Sequence, residues 1–298
     1  MKKAAAEKNR QRSLWMEAWR RLRKNKLAMT GLGFILLLVV LALFTIAVDI
    51  ITHNSFYDNH VIKQNLRLRL QGPSKEHIFG LDEFGRDIFL RVIWAIRYSL
   101  FMGTVAIGIS VVIGSILGAI AGFYGKIVDN VIMRIMDIFL AIPSMLLALA
   151  IVAAFGTSLT NLLLAIAISY VPTFARTVRA SVLTVKDQEY IEAARALGAS
   201  DVRIIGKYII PNCLAPLIVQ ASLGVAGAIL SIAGLSFLGL GIQPPTPEWG
   251  SMLSNARSYI RDGWHITVIP GLMIMLTILS LNVLGDGLRD ALDPRLKN

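Results

Sequence analysis

The chain has 298 residues, 55% of them hydrophobic and only 16% charged, where soluble domains carry roughly 25% charged residues. With a mean hydropathy of +0.63, this is the composition of a polytopic membrane protein. The single cysteine, Cys213, excludes an intrachain disulfide and any metal site built on paired thiolates. The net charge of +11 does not mark a nucleic-acid binder, because no basic stripe lies on a soluble domain.

Residues 1–27 form a basic leader. Leu14, Trp15, Ala18, Trp19 and Leu22 recur at helical spacing, among Arg12, Arg20, Arg21, Arg23 and Lys24. Such a helix is expected to lie in the membrane interface, with Trp at headgroup level and cations near anionic lipid. The first apolar run is longer than the 7–15 residues of a signal peptide and further spans follow it, so it reads as a retained anchor.

A helix needs about 20 apolar residues to cross the hydrocarbon core. Six segments qualify: 28–48, 99–123, 138–155, 159–178, 209–241 and 266–285. The expected fold is therefore all-α and polytopic, with six transmembrane helices. The chain divides into the leader, a first transmembrane helix (28–51), an extracytoplasmic loop (52–98) and a five-helix core (99–298). With the N-terminus inside, 21 of the 30 Lys and Arg residues fall on the inner side and 9 on the outer. The positive-inside rule then places both termini in the cytoplasm.

In the second span, Ala106, Ser110, Gly114, Gly118 and Gly122 are spaced four apart and share one helix face. Small side chains there predict a packing seam against another helix. No ionisable side chain lies well inside any of the six segments, which argues against a proton- or ion-driven secondary carrier. Asn161, Ser169, Tyr170 and Gln220 are the candidates for a translocation path; the alternative for each is a helix–helix hydrogen bond. Pro143, Pro172 and Pro216 are candidate kinks. No phosphate-binding loop, H-E-x-x-H, C-x-x-C or G-x-S-x-G occurs, so no catalytic and no metal-binding residue is assigned. If the chain moves something uphill, the energy comes from a partner.

The loop at 181–208 faces the cytoplasm in this topology. Asp187, Glu189 and Glu192 sit early in a run of good helix formers, where the helix dipole favours acid. Gly198 is placed to end that helix at positive φ, and Ser200 to cap a second, with Asp201 in its first turn. Two short helices joined at a Gly elbow are expected. Ala193, Ala194 and Ala196 give the first a low profile that lets a partner's groove close on it.

The stretch Glu192-Ala193-Ala194, then Gly198, then Pro211, resembles the EAA loop of binding-protein-dependent ABC transporter permeases, with Tyr208 and Ile210 in place of the motif's Ile and Leu. Further stretches, FGLDEFGRDIFLRVIWAIRYSL (79–100), LSFLGLGIQPPTPEWGSML (235–253) and LGDGLRDALDPRLK (284–297), resemble the C-type subunit of dipeptide, oligopeptide and nickel importers, the dipeptide branch most closely. Leu81 stands where that family has Thr. The resemblance implies a type I ABC importer permease fold in a bacterial inner membrane. It also implies an ATPase-docking surface at Glu189, Glu192, Ala193, Ala194, Leu197, Gly198, Ala199 and Asp201. The implied partners are a homologous second permease, two cytoplasmic ATPases and an external binding protein. The chain itself would bind no cofactor, ATP and Mg²⁺ belonging to the ATPases. A membrane scaffold without transport is the remaining rival.

Near 249–260, Trp249, Met252, Leu253, Ala256, Tyr259 and Ile260 recur at amphipathic spacing behind three prolines. A short helix on the outer face is expected there. It would either contact a delivery protein or pack on its own chain.

Overall fold

The computed structural model describes residues 14–292, so Arg12 and the last six residues lie outside it. Helix α1 (Leu14–Leu22) turns through Arg23 and Lys24 into α2 (Lys26–Ile51), whose N-cap Asn25 accepts a hydrogen bond from the Ala28 amide at 3.1 Å. The apolar face of α1 is used within the chain: Ala18 and Leu22 bury against Ala28 and the end of the last helix, at Leu288 and Ala291. Met16 and Trp19 stay exposed.

Helix α3 (Ile88–Tyr124) is 37 residues long, about 55 Å at 1.5 Å per residue, far more than a hydrocarbon core of about 30 Å. It begins eleven residues before the expected span, because Asp87 caps it through the Leu90 amide at 3.1 Å. Its first turns therefore carry Arg91 and Arg97 outside the apolar stretch.

The small-residue face of α3 packs on α6 (Leu159–Val185), the most extensive helix pair among the described residues. A Cβ on Gly114 would stand 2.6 Å from the Phe174 Cβ, one on Gly118 2.2 Å from the Ala175 oxygen, and one on Gly122 2.8 Å from the Val182 Cβ. The Ser110 hydroxyl sits 2.8 Å from both the Ala106 and the Ala167 carbonyls. The packing seam read from the four-residue spacing is this contact.

The expected span at 138–155 is broken. Helices α4 (Lys126–Leu140) and α5 (Ser144–Phe155) meet at 85°. Pro143 sits in the extended conformation between them, and a residue before proline is pushed out of the helical region. At 12 residues, about 18 Å, α5 is too short to cross a bilayer alone. Among the described residues, five helices are long and apolar enough to span a membrane, or six if the bent pair counts as one span. Two ion pairs hold α4 on α6: Asp129 with Arg179, and Asp137 with Arg176 at 2.7 Å.

After the short α7 (Glu189–Ala196), α8 (Asp201–Phe237) is continuous through a π turn at Ile205–Ile209. It starts eight residues before the expected span. The separate second short helix is absorbed into this rod. Helices α9 (Trp249–Ala256) and α10 (Trp264–Leu292) complete the chain. The apolar face of α9 packs on its own chain: Trp249, Met252 and Ala256 are buried, and the Trp249 indole donates to the Val92 carbonyl at 3.1 Å. Only Ile260, beyond the helix, remains well exposed.

The end of the bundle that carries α9 is tied by buried charge. Arg86 donates to Asp82 at 2.7 Å, and the Arg91 Nε lies 3.4 Å from the same carboxylate. Arg91 also reaches the Pro245 carbonyl at 3.2 Å, joining loops far apart in sequence. Asp49, at the end of α2, accepts from Trp94 at 3.1 Å and from Arg97. Glu248 caps α9 through the Gly250 and Ser251 amides, both at 2.8 Å. Burial pushes the Glu248 carboxyl up, and burial beside Asp82 does the same to Glu83.

Gly118→Val is predicted to cost at least the 1–3 kcal/mol usual for an overpacked core, since the new side chain meets backbone rather than a flexible side-chain end. Gly33→Ala, with open space around it, is predicted to leave the thermal midpoint of the solubilised chain unchanged or slightly higher. Equal midpoints for the two variants would contradict the seam.

Candidate functional site: the elbow between α6 and α8

Helix α7, at eight residues, is well below the roughly 12–15 at which an isolated helix becomes even marginally stable in water, so packing supports it. Ile191 and Ala194, three residues apart, bury in one cluster with Phe123 of α3, Val182 of α6 and Ile204 and Ile209 of α8. The Arg195 guanidinium lies 5.2 Å over the Phe123 ring. Gln188 stands at the N-cap, and Glu189 and Glu192 occupy the first turn, as the dipole favours.

The helix ends in a complete Schellman motif. The Gly198 amide donates to the Arg195 carbonyl at 2.9 Å, and the Ala199 amide to the Ala194 carbonyl at 3.0 Å. Gly198 has φ +79°, and nothing lies within 4 Å of where a Cβ would be. Its requirement is conformational, not spatial. Ser200 stands at the N-cap of α8 as expected, but its hydroxyl makes no capping bond.

The outer face of the elbow carries both charge and apolar surface. Glu189, Glu192, Ala193, Gly198 and Asp201 are exposed, and Ala199 is half-buried. Ala194 differs from the others singled out: its side chain turns into the bundle. Leu197 is 88% exposed and Val202 81%, one on each side of Gly198. Val202 and the exposed Tyr190 were not picked out from sequence. An apolar residue at the start of a rod, where a buried one would be expected, was the signal for Val202.

The comparisons with known proteins bear on what this elbow serves. A model of the family described as "binding-protein-dependent transport system inner membrane component" matches residues 114–298, which include the elbow. The chain belongs to that family. A second model, the N-terminal transmembrane domain of oligopeptide transport permease C, matches residues 13–73. Among curated relatives, the dipeptide transport system permease protein DppC of Alkalihalophilus pseudofirmus is 50% identical, over 96% of this chain and 91% of its own. The glutathione transport system permease protein GsiD of Escherichia coli is 45% identical, over 96% of this chain and 92% of its own. Of solved structures, the MetNI methionine ABC transporter in an inward-facing crystal form matches with a TM-score of 0.56 at 20% identity, over 69% of this chain and 98% of that one. This last likeness establishes the fold, that of a type I ABC importer permease. The protein is thus a multi-pass inner-membrane permease subunit, a transport component rather than an enzyme.

For this permease the four candidate path residues separate. Asn161 donates to the Phe155 and Gly156 carbonyls at 2.7 and 3.0 Å and so fastens the turn between α5 and α6. The Ser169 hydroxyl is buried and bonds the Ala165 carbonyl of its own helix at 2.8 Å. Tyr170 lies between α6 and α8, its hydroxyl 2.5 Å from where a Cβ on Gly227 would stand. Gln220 lines an open cavity, of about 420 Å³, together with Thr177, Pro216, Val219, Leu223 and Arg289. Asn161 and Thr177 are 16 residues apart on α6, about 24 Å. The four are therefore spread along the bundle rather than gathered at one point.

Gly198→Ala is predicted to cost about 1–2 kcal/mol locally, through the left-handed backbone alone. Hydrogen exchange at the Gly198 and Ala199 amides should quicken about tenfold, with the thermal midpoint of the bundle nearly unchanged. Unaltered exchange would contradict the Schellman assignment.

Proposed function

We propose that this permease forms half of the translocation path of an ATP-driven, binding-protein-dependent importer of dipeptides or short peptides, and that an ATPase seats on the elbow at α7. The observation that carries this reading is the pair Leu197 and Val202, exposed apolar side chains flanking a glycine hinge on an otherwise packed support. The excess of Lys and Arg on the elbow's side of the bundle supports a cytoplasmic elbow and cytoplasmic termini. The peptide cargo is supported by the dipeptide permease at 50% identity. The glutathione permease at 45% favours a second reading within the same class, a glutathione-like tripeptide. A homologous second permease, two ATPases and an external binding protein complete the proposed assembly.

The mechanism follows from the two faces of α7. The outer face, with Glu189, Glu192, Ala193, Leu197, Gly198, Ala199 and Asp201, enters a groove on the ATPase. A standard interface of this kind buries about 800 Å² per partner. The inner face, Ile191 and Ala194, is packed on the ends of α3, α6 and α8. Closure of the ATPase pair on nucleotide draws the elbow, and the bundle follows as a shear between two packed states. Gln220, in the open cavity beside Arg289, is the path candidate retained.

Leu197→Asp and Val202→Asp place a charge on the docking face without touching the bundle. Loss of a buried apolar anchor costs about 2 kcal/mol or more, on the order of 30-fold in affinity. Each variant is expected to insert normally, keep its thermal midpoint, and lose at least tenfold of substrate-stimulated ATP hydrolysis in the reconstituted complex. Normal stimulation in both would sink the docking assignment.

A further inference from the structure

The elbow leaves one charged surface unexplained, on α1. Ala18 and Leu22 fasten this helix to Ala28 and to Leu288 and Ala291 of α10, which fixes it at the entry of α2 into the membrane. The face left outward combines Met16 (60% exposed) and Trp19 (47%) with Arg20, Arg23 and Lys24. These five residues line a shallow cleft of about 360 Å³. Lys26 and the exposed Leu27 continue the same mixture across the turn. None of the three cations in the cleft takes part in a salt bridge among the described residues.

We infer that this cleft binds the headgroup phosphate of anionic phospholipid. Arginine and lysine side chains supply the counter-charge and the donors, while Trp19 and Met16 rest on the glycerol and upper acyl region. An acidic protein surface would match the cations but would leave Met16, Trp19 and Leu27 facing water. A lipid boundary satisfies both halves of the surface, and α1 is held beside the first turn of a membrane helix. The cytoplasmic leaflet is the relevant one if the proposed orientation holds.

The test uses the intact transporter in nanodiscs that carry phosphatidylglycerol in both leaflets, so its outcome does not depend on orientation. Retained phosphatidylglycerol is counted by native mass spectrometry. Each cation near an anionic surface contributes roughly a fivefold factor, so the Arg20→Gln, Arg23→Gln, Lys24→Gln triple variant should lose affinity on the order of 100-fold. The charge-conserving Arg20→Lys, Arg23→Lys, Lys24→Arg variant should retain most of the bound lipid, which controls for folding. Millimolar inorganic phosphate should not displace the lipid. Equal retention by the wild type and the Gln variant would overturn the proposal. So would displacement by inorganic phosphate, or cross-linking of Trp19→Cys to another subunit instead of to lipid.

Discussion

Two side chains, Ile191 and Ala194, join α7 to the ends of three long helices, and the rest of the coupling account depends on that join. Fully burying an isoleucine is worth about 1.5–3 kcal/mol. A helix of eight residues has no comparable stability of its own in water. If α7 were an unpacked tether, a pull on it would extend the chain before moving any helix. Packed as it is, it is placed to pass a pull to α3, α6 and α8. The same two residues also decide which face is free: Glu192 and Ala193, one and two residues past Ile191, turn to the other side, and Leu197 is exposed as the C-cap beyond the helix.

Within the bundle, α3 and α6 form one close-packed pair, and the proposed shear runs between that pair and the other helices. The glycines of α3 let it approach α6 to backbone contact, and such contacts tolerate little sliding. Arg179 and Arg176 of α6 pair with Asp129 and Asp137 of α4, which ties the bent pair to α6. At the far end, the cluster of Asp82, Arg86 and Arg91 joins loops that would otherwise be separate. Pairing offsets part of the desolvation penalty of these buried charges, and burial still pushes the Glu83 carboxyl up. The α9 helix spends its apolar face on Val92 and its neighbours, which leaves less of it for a delivery protein than the amphipathic spacing allowed.

Much of this was legible from residue spacing. The four-residue run from Ala106 to Gly122 signals a seam because only a close helix neighbour gives small residues that period. Gly198 signals a helix stop because its left-handed φ suits glycine. Boundaries were less legible. Apolar content marks where lipid begins, whereas helices α3 and α8 run on past it, held by the Asp87 cap and by packing of Ile204. The break at Pro143 hid inside a continuous apolar run, since hydropathy carries no record of backbone direction. The polar residues of the spans carried two readings each, path lining or hydrogen bonding, because spacing along a chain says little about separation in space. Asn161 and Ser169 each bond a backbone carbonyl.

In the proposed assembly the outer face of the elbow meets an ATPase on the cytoplasmic side. The most direct measurement places a single cysteine at Leu197, with the buried Cys213 replaced by Ala, and treats intact spheroplasts and inverted vesicles with a membrane-impermeant maleimide. Labelling is expected only in inverted vesicles, and its suppression when the ATPase subunits are bound. Labelling of intact spheroplasts, or labelling in inverted vesicles that bound ATPase leaves unchanged, would contradict it.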